Sequence, residues 1–531
     1  MAGERIYLYD TTLRDGAQTQ GVDFGVPDKL AIARELDQFG IDYVEGGWPG
    51  ANPTDDAFFA KLPKLSHAKI AAFGMTRRSG RSAGNDPGLA GILSSNARVA
   101  CLVGKTWDFH AKVALGVSLE ENIAMITESV KLAAERLDEV IFDAEHFFDG
   151  VKANPAFALK CIEAAYKAGA RWIVLCDTNG GTLPDEVEGF VGVVAGLMPG
   201  DHIGIHAHND TENAVANSLA AVRSGARQVQ GTLNGLGERC GNANLISIIP
   251  SLMLKMGYTT GVSEQGLARL THVSRFLDER LNRAHNRHAA YVGESAFAHK
   301  GGLHVSAVEK DPKSYEHIDP ALVGNVRHIV VSDQAGRSNI LARLREVGVA
   351  IDAKHPKLDA LLDEVKTREF QGYAYDGAEA SFELLAQRLL GGVPDYFKVQ
   401  RFRVMDERRW NAKGELVTVS EATVYGEVDD KPFTEVAESH DGPVDALATA
   451  LRKALVPAFP ELQGIHLSDY KVRILTPQAG TGAVTRVMIE SAEEGGETWS
   501  TVGVSSDIIN ASYDALHDSL TYKLWRSKRS S

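Results

Sequence analysis

Two histidines, His206 and His208, stand two residues apart in the run HIGIHAHND, directly after a short apolar stretch. On an extended strand such residues share a face, so both rings can offer a nitrogen to one ion. Two imidazoles joined by a carboxylate and an amide oxygen make a mixed site for a divalent metal ion, Zn, Mn, Mg or Co, with positions left open. A hydrogen-bonded structural pair is the plainer alternative for an isolated His-X-His. The run YLYDTTLRDGAQTQG, Tyr7 to Gly21, supplies a second set: an apolar strand, the adjacent opposite charges Arg14 and Asp15, then Gly16. A solvated turn with a local salt bridge is the bland reading. Other apolar runs also end in polar groups: Glu145 in DAEHFFDG, Asp177, Thr178 and Asn179 in CDTNGG, and Asn234, Glu238 and Asn242 in NGLGERCGN.

These residue types point to one chemistry. An open metal site can hold a 2-oxo acid through its keto oxygen and a carboxylate oxygen, polarising the ketone toward attack. The fixed charge of Arg14 then stabilises an alkoxide developing on that oxygen, with more directional bonding than Lys would give. Thr178 can hold the substrate carboxylate by its hydroxyl. Glu145 is a candidate acid/base or orienting group, its alternative being an ion pair with a strand-end neighbour. Glu45 and Trp48 in EGGWPG are similarly placed, Trp48 as a wall that keeps the pocket small, though either could be packing.

Positioning such groups requires many strand ends at one place. From Ile6 to about Tyr258 short β-branched runs alternate with amphipathic segments, the strands beginning near Ile6, Tyr43, Lys69, Ala97, Glu139, Arg171, His202 and Gln228. Helical patterns follow, as in PDKLAIARELDQFG from Pro27 and PDEVEGFVGVVAGLM from Pro184, with Pro or Ser at starts and Gly at ends. Eight βα units in this length predict an α/β fold, a (β/α)8 TIM barrel, whose chemistry sits just after the strands. Closing the barrel brings strand one beside strand eight and near strand seven, which selects Asp15 as the carboxylate for the histidine pair; Asn242 can add an amide oxygen.

Beyond Tyr258 the pattern is helical, broken by a glycine-rich turn, AFAHKGGLHVSAV, and a loop, YEHIDPALVG. After Gly391 and Gly392 it turns strand-rich and repeats itself as two βββα units, each closed by a helix, PVDALATALRKAL and ASYDALHDSLTYKL. The expected organisation is a catalytic barrel over 1–270, helical linker subdomains over 271–390, and an α+β regulatory domain over 391–531.

Length and charge bound the rest. At 531 residues the chain exceeds one ordinary core. Acidic residues outnumber basic ones 70 to 56, for a net charge of −14, which argues against nucleic-acid or anionic-membrane partners. The start MAGERIYLYD lacks a basic region followed by an apolar run, and no stretch approaches the roughly 18 apolar residues of a spanning helix, so a cytoplasmic location is expected. Cys101, Cys161, Cys176 and Cys240 form no CxxC pair and read as reduced thiols. The run RLNRAHNRHAAY, Arg280 to Tyr291, is basic enough to meet phosphates or to be a solvated helix face. GLGERCG lacks the lysine and hydroxyl of a P-loop.

Together, DTTLRDGAQ, HAHND and GERCGN resemble the signatures of the acyl-CoA-dependent 2-oxo-acid condensing enzymes, the 2-isopropylmalate, homocitrate and citramalate synthases, which share a metal-dependent barrel with the hydroxymethylglutaryl-CoA lyases. The resemblance implies metal ligands Asp15, His206, His208 and Asn242, an Arg14 contact to the substrate keto oxygen, and Gln18 and Thr178 as substrate contacts. GGLH and YEHIDP resemble the family's proton-transfer segments, which implies that His304 and Tyr315 reach the barrel of a partner subunit in an interleaved homodimer, sharing catalysis with Glu145. The duplicated carboxy-terminal domain resembles the family's amino-acid-sensing domain, with isoleucine as the implied effector. Ala17 stands where the commoner motif has Glu. With CDTNGG, EGGWPG and DAEHFFDG it makes the chain most similar to the citramalate branch, which implies acetyl-CoA and pyruvate as substrates and (R)-citramalate as product in isoleucine synthesis. 2-Isopropylmalate or homocitrate synthesis, and more distantly acyl-CoA lysis, are the alternatives.

Overall fold

The alternating pattern of the first half closes into a barrel. In this computed structural model, which describes residues 4–329, 337–346, 348–349, 351–352, 355–493 and 497–530, eight parallel strands pair in sequence order and β8 returns to β1. They are β1 (Tyr7–Asp10), β2 (Tyr43–Gly47), β3 (Lys69–Met75), β4 (Val99–Lys105), β5 (Glu139–Glu145), β6 (Trp172–Asp177), β7 (Ile203–Ala207) and β8 (Gln228–Gly231). Each begins within two residues of the start read from the sequence. Several helices start on a capping side chain: Asn52 accepts from the Asp55 amide, Ser118 from that of Glu121 and Asn154 from that of Phe157.

The period of two along each strand sorts side chains into two layers. Leu8, Ile173, Leu175, Ile203, Ile205 and Val229 pack outward against the helices. Tyr9, Tyr43, Phe73, Cys101, Ile141, Trp172 and Val174 fill the interior, so the barrel is a packed core rather than a pore. The same alternation turns Glu45, Asp143, His206 and Gln230 inward. Asp177 and Asp10 face outward. Asp177 accepts from the amide and hydroxyl of Thr182, and Asp10 from those of Thr12, so neither projects into the mouth with its neighbours.

The chain divides into two compact units, Met1–Phe297 with Ile318–Val326, and Ala298–His317 with Arg327–Ser531. In the second, a short parallel ribbon joins β9 (Ala298–His299) to β10 (His328–Ile329). Two antiparallel three-stranded sheets follow, β11 (Lys398–Trp410), β12 (Leu416–Val428) and β13 (Lys431–Ser439), then β14 (His466–Ile474), β15 (Thr485–Ala492) and β16 (Thr498–Ser505). Each sheet is followed by a helix, Pro443–Leu455 and Ile508–Ser530, which is the duplicated βββα pattern. Ala422, Val424, Leu447, Leu451, Val487, Ile489 and Leu516 belong to one shared core.

One local expectation is corrected. The glycine-rich segment around His304 is the start of a helix, Gly302–Lys310, rather than a turn. Gly301 is its N-cap and Gly302 its first residue, positions where glycine marks a boundary without weakening the interior.

Candidate active site

Arg14 is the most constrained side chain at the barrel mouth. The turn after β1 folds back on itself, the amides of Arg14, Asp15 and Gly16 all reaching the Thr11 carbonyl. Its guanidinium Nε ion-pairs with Oε1 of Glu45, which is fully buried, and its carbon lies 3.9 Å from the ring centroid of Phe73. Glu45 also accepts from the Tyr9 hydroxyl at 2.6 Å and the Thr11 hydroxyl at 3.2 Å. Burial opposes the charge on Arg14, but the Glu45 and Asp15 carboxylates more than offset it and raise its pKa further. The arginine is therefore a fixed cation at a largely buried position, where its field is less screened than in water.

Asp15, His206 and His208 converge beside it, all buried, with one ligand atom from each within 4.8 Å of the others. Oδ2 of Asp15 lies 3.4 Å from Nε2 of His206 and 4.0 Å from Nε2 of His208, while the two Nε2 atoms are 3.3 Å apart. Nη1 of Arg14 is 3.7 Å from the same Asp15 oxygen. Asn242 joins through Nδ2, which donates to Asp15 Oδ2 at 2.9 Å. Its Oδ1 is buried with no hydrogen-bond partner among the described residues. A side chain at Gly237 would come within 2.5 Å of that oxygen, so the glycine leaves room for the amide. Two facing ring nitrogens, a carboxylate and an orphaned amide oxygen are a donor set that fits a divalent cation.

Electrostatics divide the cluster: burial opposes charge on His206 but the Asp15 and Asp143 carboxylates raise its pKa above the usual histidine value, whereas Asp15 and His208 are held in ligating states. Burial alone would push the Asp15 carboxyl up, but Arg14 and the two histidines hold it well below the usual carboxylate range. Burial, then the neighbouring His206 ring, pushes His208 down to about 3. Burial raises Asp143 to about 6.

The remaining candidates are distributed around the mouth. Glu145, at the end of β5, is ion-paired with Lys105 at the end of β4. Half-buried Thr178 accepts from the His146 amide at 2.9 Å. Its carbonyl is held at 2.8 Å by Arg239, which also grips Asp210, so the loops after β6, β7 and β8 are tied together. Gln18 ends a 3-10 turn and is exposed. Asn234 holds the helix Leu270–Arg280 through Ser274 and Asp278, and Glu238 is an exposed partner of Arg239. Trp48 stacks edge-on against Phe73 at 5.5 Å and borders a cavity of about 310 Å³ with Met75, Leu115, Val117 and Met125. Its backbone is pinned by Asp55, which accepts from the Trp48 amide at 2.9 Å and is itself paired with buried Lys29. In the second unit, His304 and Tyr315 stack at 4.2 Å between centroids, and both are exposed, as is Leu303 beside them.

Three residues here are absent from the sequence-based set. Asp143 and Gln230 lie inside strands, and Lys105 ends one. Asp143 stands two residues before Glu145 and so shares its inward face, the signal that could have found it.

The HMGL-like family model matches residues 5–274, the homocitrate synthase post-HMGL domain-like model 291–371, and the LeuA allosteric (dimerisation) domain 376–524. An (R)-citramalate synthase of Aquifex aeolicus is 51% identical over 527 residues, covering 99% of both chains. That of Geobacter sulfurreducens is 51% identical over 525 residues, covering 98% of both. A probable 2-isopropylmalate synthase of Methanopyrus kandleri is 32% identical over 517 residues, covering 96% of this chain and 97% of its own. The chain belongs to the citramalate synthase family. As a citramalate synthase it is an acetyl-CoA-dependent condensing enzyme, and Ala17, partly buried against the barrel's outer core, sits in the loop of Arg14 and Asp15. No helix among the described residues is long and apolar enough to cross a membrane.

Proposed function

We infer that the barrel mouth joins acetyl-CoA to pyruvate in a Claisen-type condensation. The acetyl methyl loses a proton, its carbon attacks the keto carbon of pyruvate, and water cleaves the thioester to release (R)-citramalate and CoA. The observation that carries this reading is the clamped Arg14 guanidinium 3.7 Å from Asp15, beside the two converging histidines. Asp15, His206, His208 and Asn242 would hold the divalent cation. When bound, that ion supplies Lewis acidity to the ketone.

The chain's own residues do the rest. Arg14 directs N–H donors at the keto oxygen as charge develops there, and because Glu45 fixes it beforehand, little reorganisation is needed at the moment of reaction. Thr178, tethered by Arg239, receives the pyruvate carboxylate, with Gln18 at the rim. His304, Tyr315 and Glu145 share the proton transfers. The basic segment from Arg280 to Tyr291 suits the CoA phosphates: Arg283, Arg287 and His288 border a cavity of about 390 Å³ that Leu236 separates from the Asp15 loop. A metal-dependent acyl-CoA lyase would use the same ligands but has no evident use for the connecting region and the duplicated carboxy-terminal domain.

CoA release with a panel of 2-oxo acids tests the acceptor. Pyruvate should give the highest kcat/KM. A higher value for 2-oxoisovalerate would make the chain a 2-isopropylmalate synthase, and for 2-oxoglutarate a homocitrate synthase.

The exposed His304 and Tyr315 pair fits residues that serve a partner's barrel, so the working unit is a homodimer with interleaved subunits. Mixing Asp15→Ala chains with His304→Ala chains should restore activity neither has alone, because one barrel of each hybrid dimer is complete. Persistent inactivity of an exchanged mixture would exclude sharing of the site.

The carboxy-terminal domain senses isoleucine, the end product of the biosynthetic sequence in which a cytoplasmic citramalate synthase stands. Isoleucine should inhibit the full chain, and by linkage bound acetyl-CoA should change isoleucine affinity by the same factor that isoleucine changes acetyl-CoA affinity. Inhibition by leucine and not isoleucine would reassign the effector.

A further inference from the structure

We propose that Gln230 is a positioning residue that sets the tautomer of His206 and thereby its capacity to bind a divalent cation; this rests on the metal reading given above. Gln230 lies on β8, 1% exposed, and its side chain bridges two strands inside the barrel. Nε2 donates to Oδ1 of buried Asp143 on β5 at 3.0 Å, and Oε1 faces Nδ1 of His206 on β7 at 2.8 Å.

The chemistry fixes every orientation in this chain. While Asp143 is ionised its carboxylate only accepts, so the amide must turn its NH2 toward it. Its oxygen is thereby presented to His206, and an oxygen acceptor requires N–H at Nδ1. The proton of the neutral ring is thus held at Nδ1, leaving a lone pair on Nε2, the atom 3.3 Å from Nε2 of His208 and 3.4 Å from Asp15. A carboxylate in direct contact with a metal-binding histidine does the same work in many sites. Here a neutral amide is interposed, so the influence of Asp143 reaches the ring without a second formal charge beside it. His208 has no such support: its Nδ1 is buried without a hydrogen-bond partner among the described residues.

The test is Zn2+ affinity of the purified full chain, measured by competition with a chromophoric chelator, for wild type, Gln230→Leu and Gln230→Glu. Loss of an outer partner of a metal ligand costs roughly 10–100-fold in affinity, and Q230L should fall in that range. Q230E should stay within about threefold or bind more tightly, because in either protonation state its carboxyl offers an oxygen that accepts from Nδ1 of His206. Should Q230L fail to fold, the wild type still decides: 15N spectra of the metal-free protein at about pH 9, above the usual histidine range, should show His206 protonated at Nδ1. Protonation at Nε2, or unchanged Zn2+ affinity in folded Q230L, overturns the proposal. Wild-type protein that binds no Zn2+ but carries the Nδ1 proton would instead refute the metal reading alone.

Discussion

Asp15→Ala should lose bound metal and condensation together while the barrel stays folded. Among the described residues Asp15 is the one carboxylate in the cluster, and a single oxygen of it faces both Nε2 atoms and the Asn242 amide. Without it Arg14, still paired with Glu45, stands beside two imidazoles that have lost their anionic co-ligand, so little in the cluster offsets the charge of a divalent ion. The drop in kcat/KM should exceed the roughly 100-fold upper range for losing a mere outer partner of a ligand. Elemental analysis of the purified variant and a CoA-release assay read the two effects side by side. Full turnover by D15A after chelation would remove the metal assignment.

Glu45→Ala should have the largest effect on stability. It strips Arg14 of its direct partner in a site where the guanidinium side chain is 14% exposed, and leaves the buried Tyr9 hydroxyl without its acceptor. Breaking a buried ion pair by deleting one partner costs about 3–5 kcal/mol. Asp15 remains 3.7 Å away, which places the expectation toward the lower end. Because the chain has two units, no global midpoint is suitable; hydrogen exchange in β1 and β2 reads the barrel directly. E45A should lose protection there and fall in kcat as Arg14 loses its orientation. Glu45→Gln keeps one acceptor oxygen for Arg14 and turns an NH2 toward the Tyr9 hydroxyl, which can accept from it, and should be milder in both. An E45A protein with wild-type exchange in these strands would show that Glu45 does not anchor the site.

The mouth was easier to read from the sequence than the interior behind it. Charges and amides that interrupt an apolar run are conspicuous, and barrel closure alone brings Asp15 to His206 and His208. Glu45, Asp143 and Gln230 lie within strands, where a polar residue is seen as part of an alternating pattern and its partner belongs to another strand. Glu45 and Arg14 are 31 positions apart, and Gln230 and Asp143 are 87, so no local spacing reveals either pair. Asp177 shows the converse: its place after an apolar run suggested the mouth, but the two-residue period carries it to the helix layer, where Thr182 holds it. Gly301 and Gly302 read as a turn because glycine breaks helices in their interior, whereas here they begin one. The duplicated carboxy-terminal units were legible because both copies keep the strand and helix periods, though what they bind is written in no single motif.

The most direct test of the chemistry follows the atoms. Acetyl-CoA and pyruvate labelled with 13C at the keto carbon are incubated with the metal-loaded enzyme, and 13C spectra and chiral chromatography are compared with free thiol. The keto resonance should become that of a tertiary alcohol, the product should be (R)-citramalate, and one CoA should be released for each. CoA released while the pyruvate resonance persists would identify a thioesterase and contradict condensation at this site.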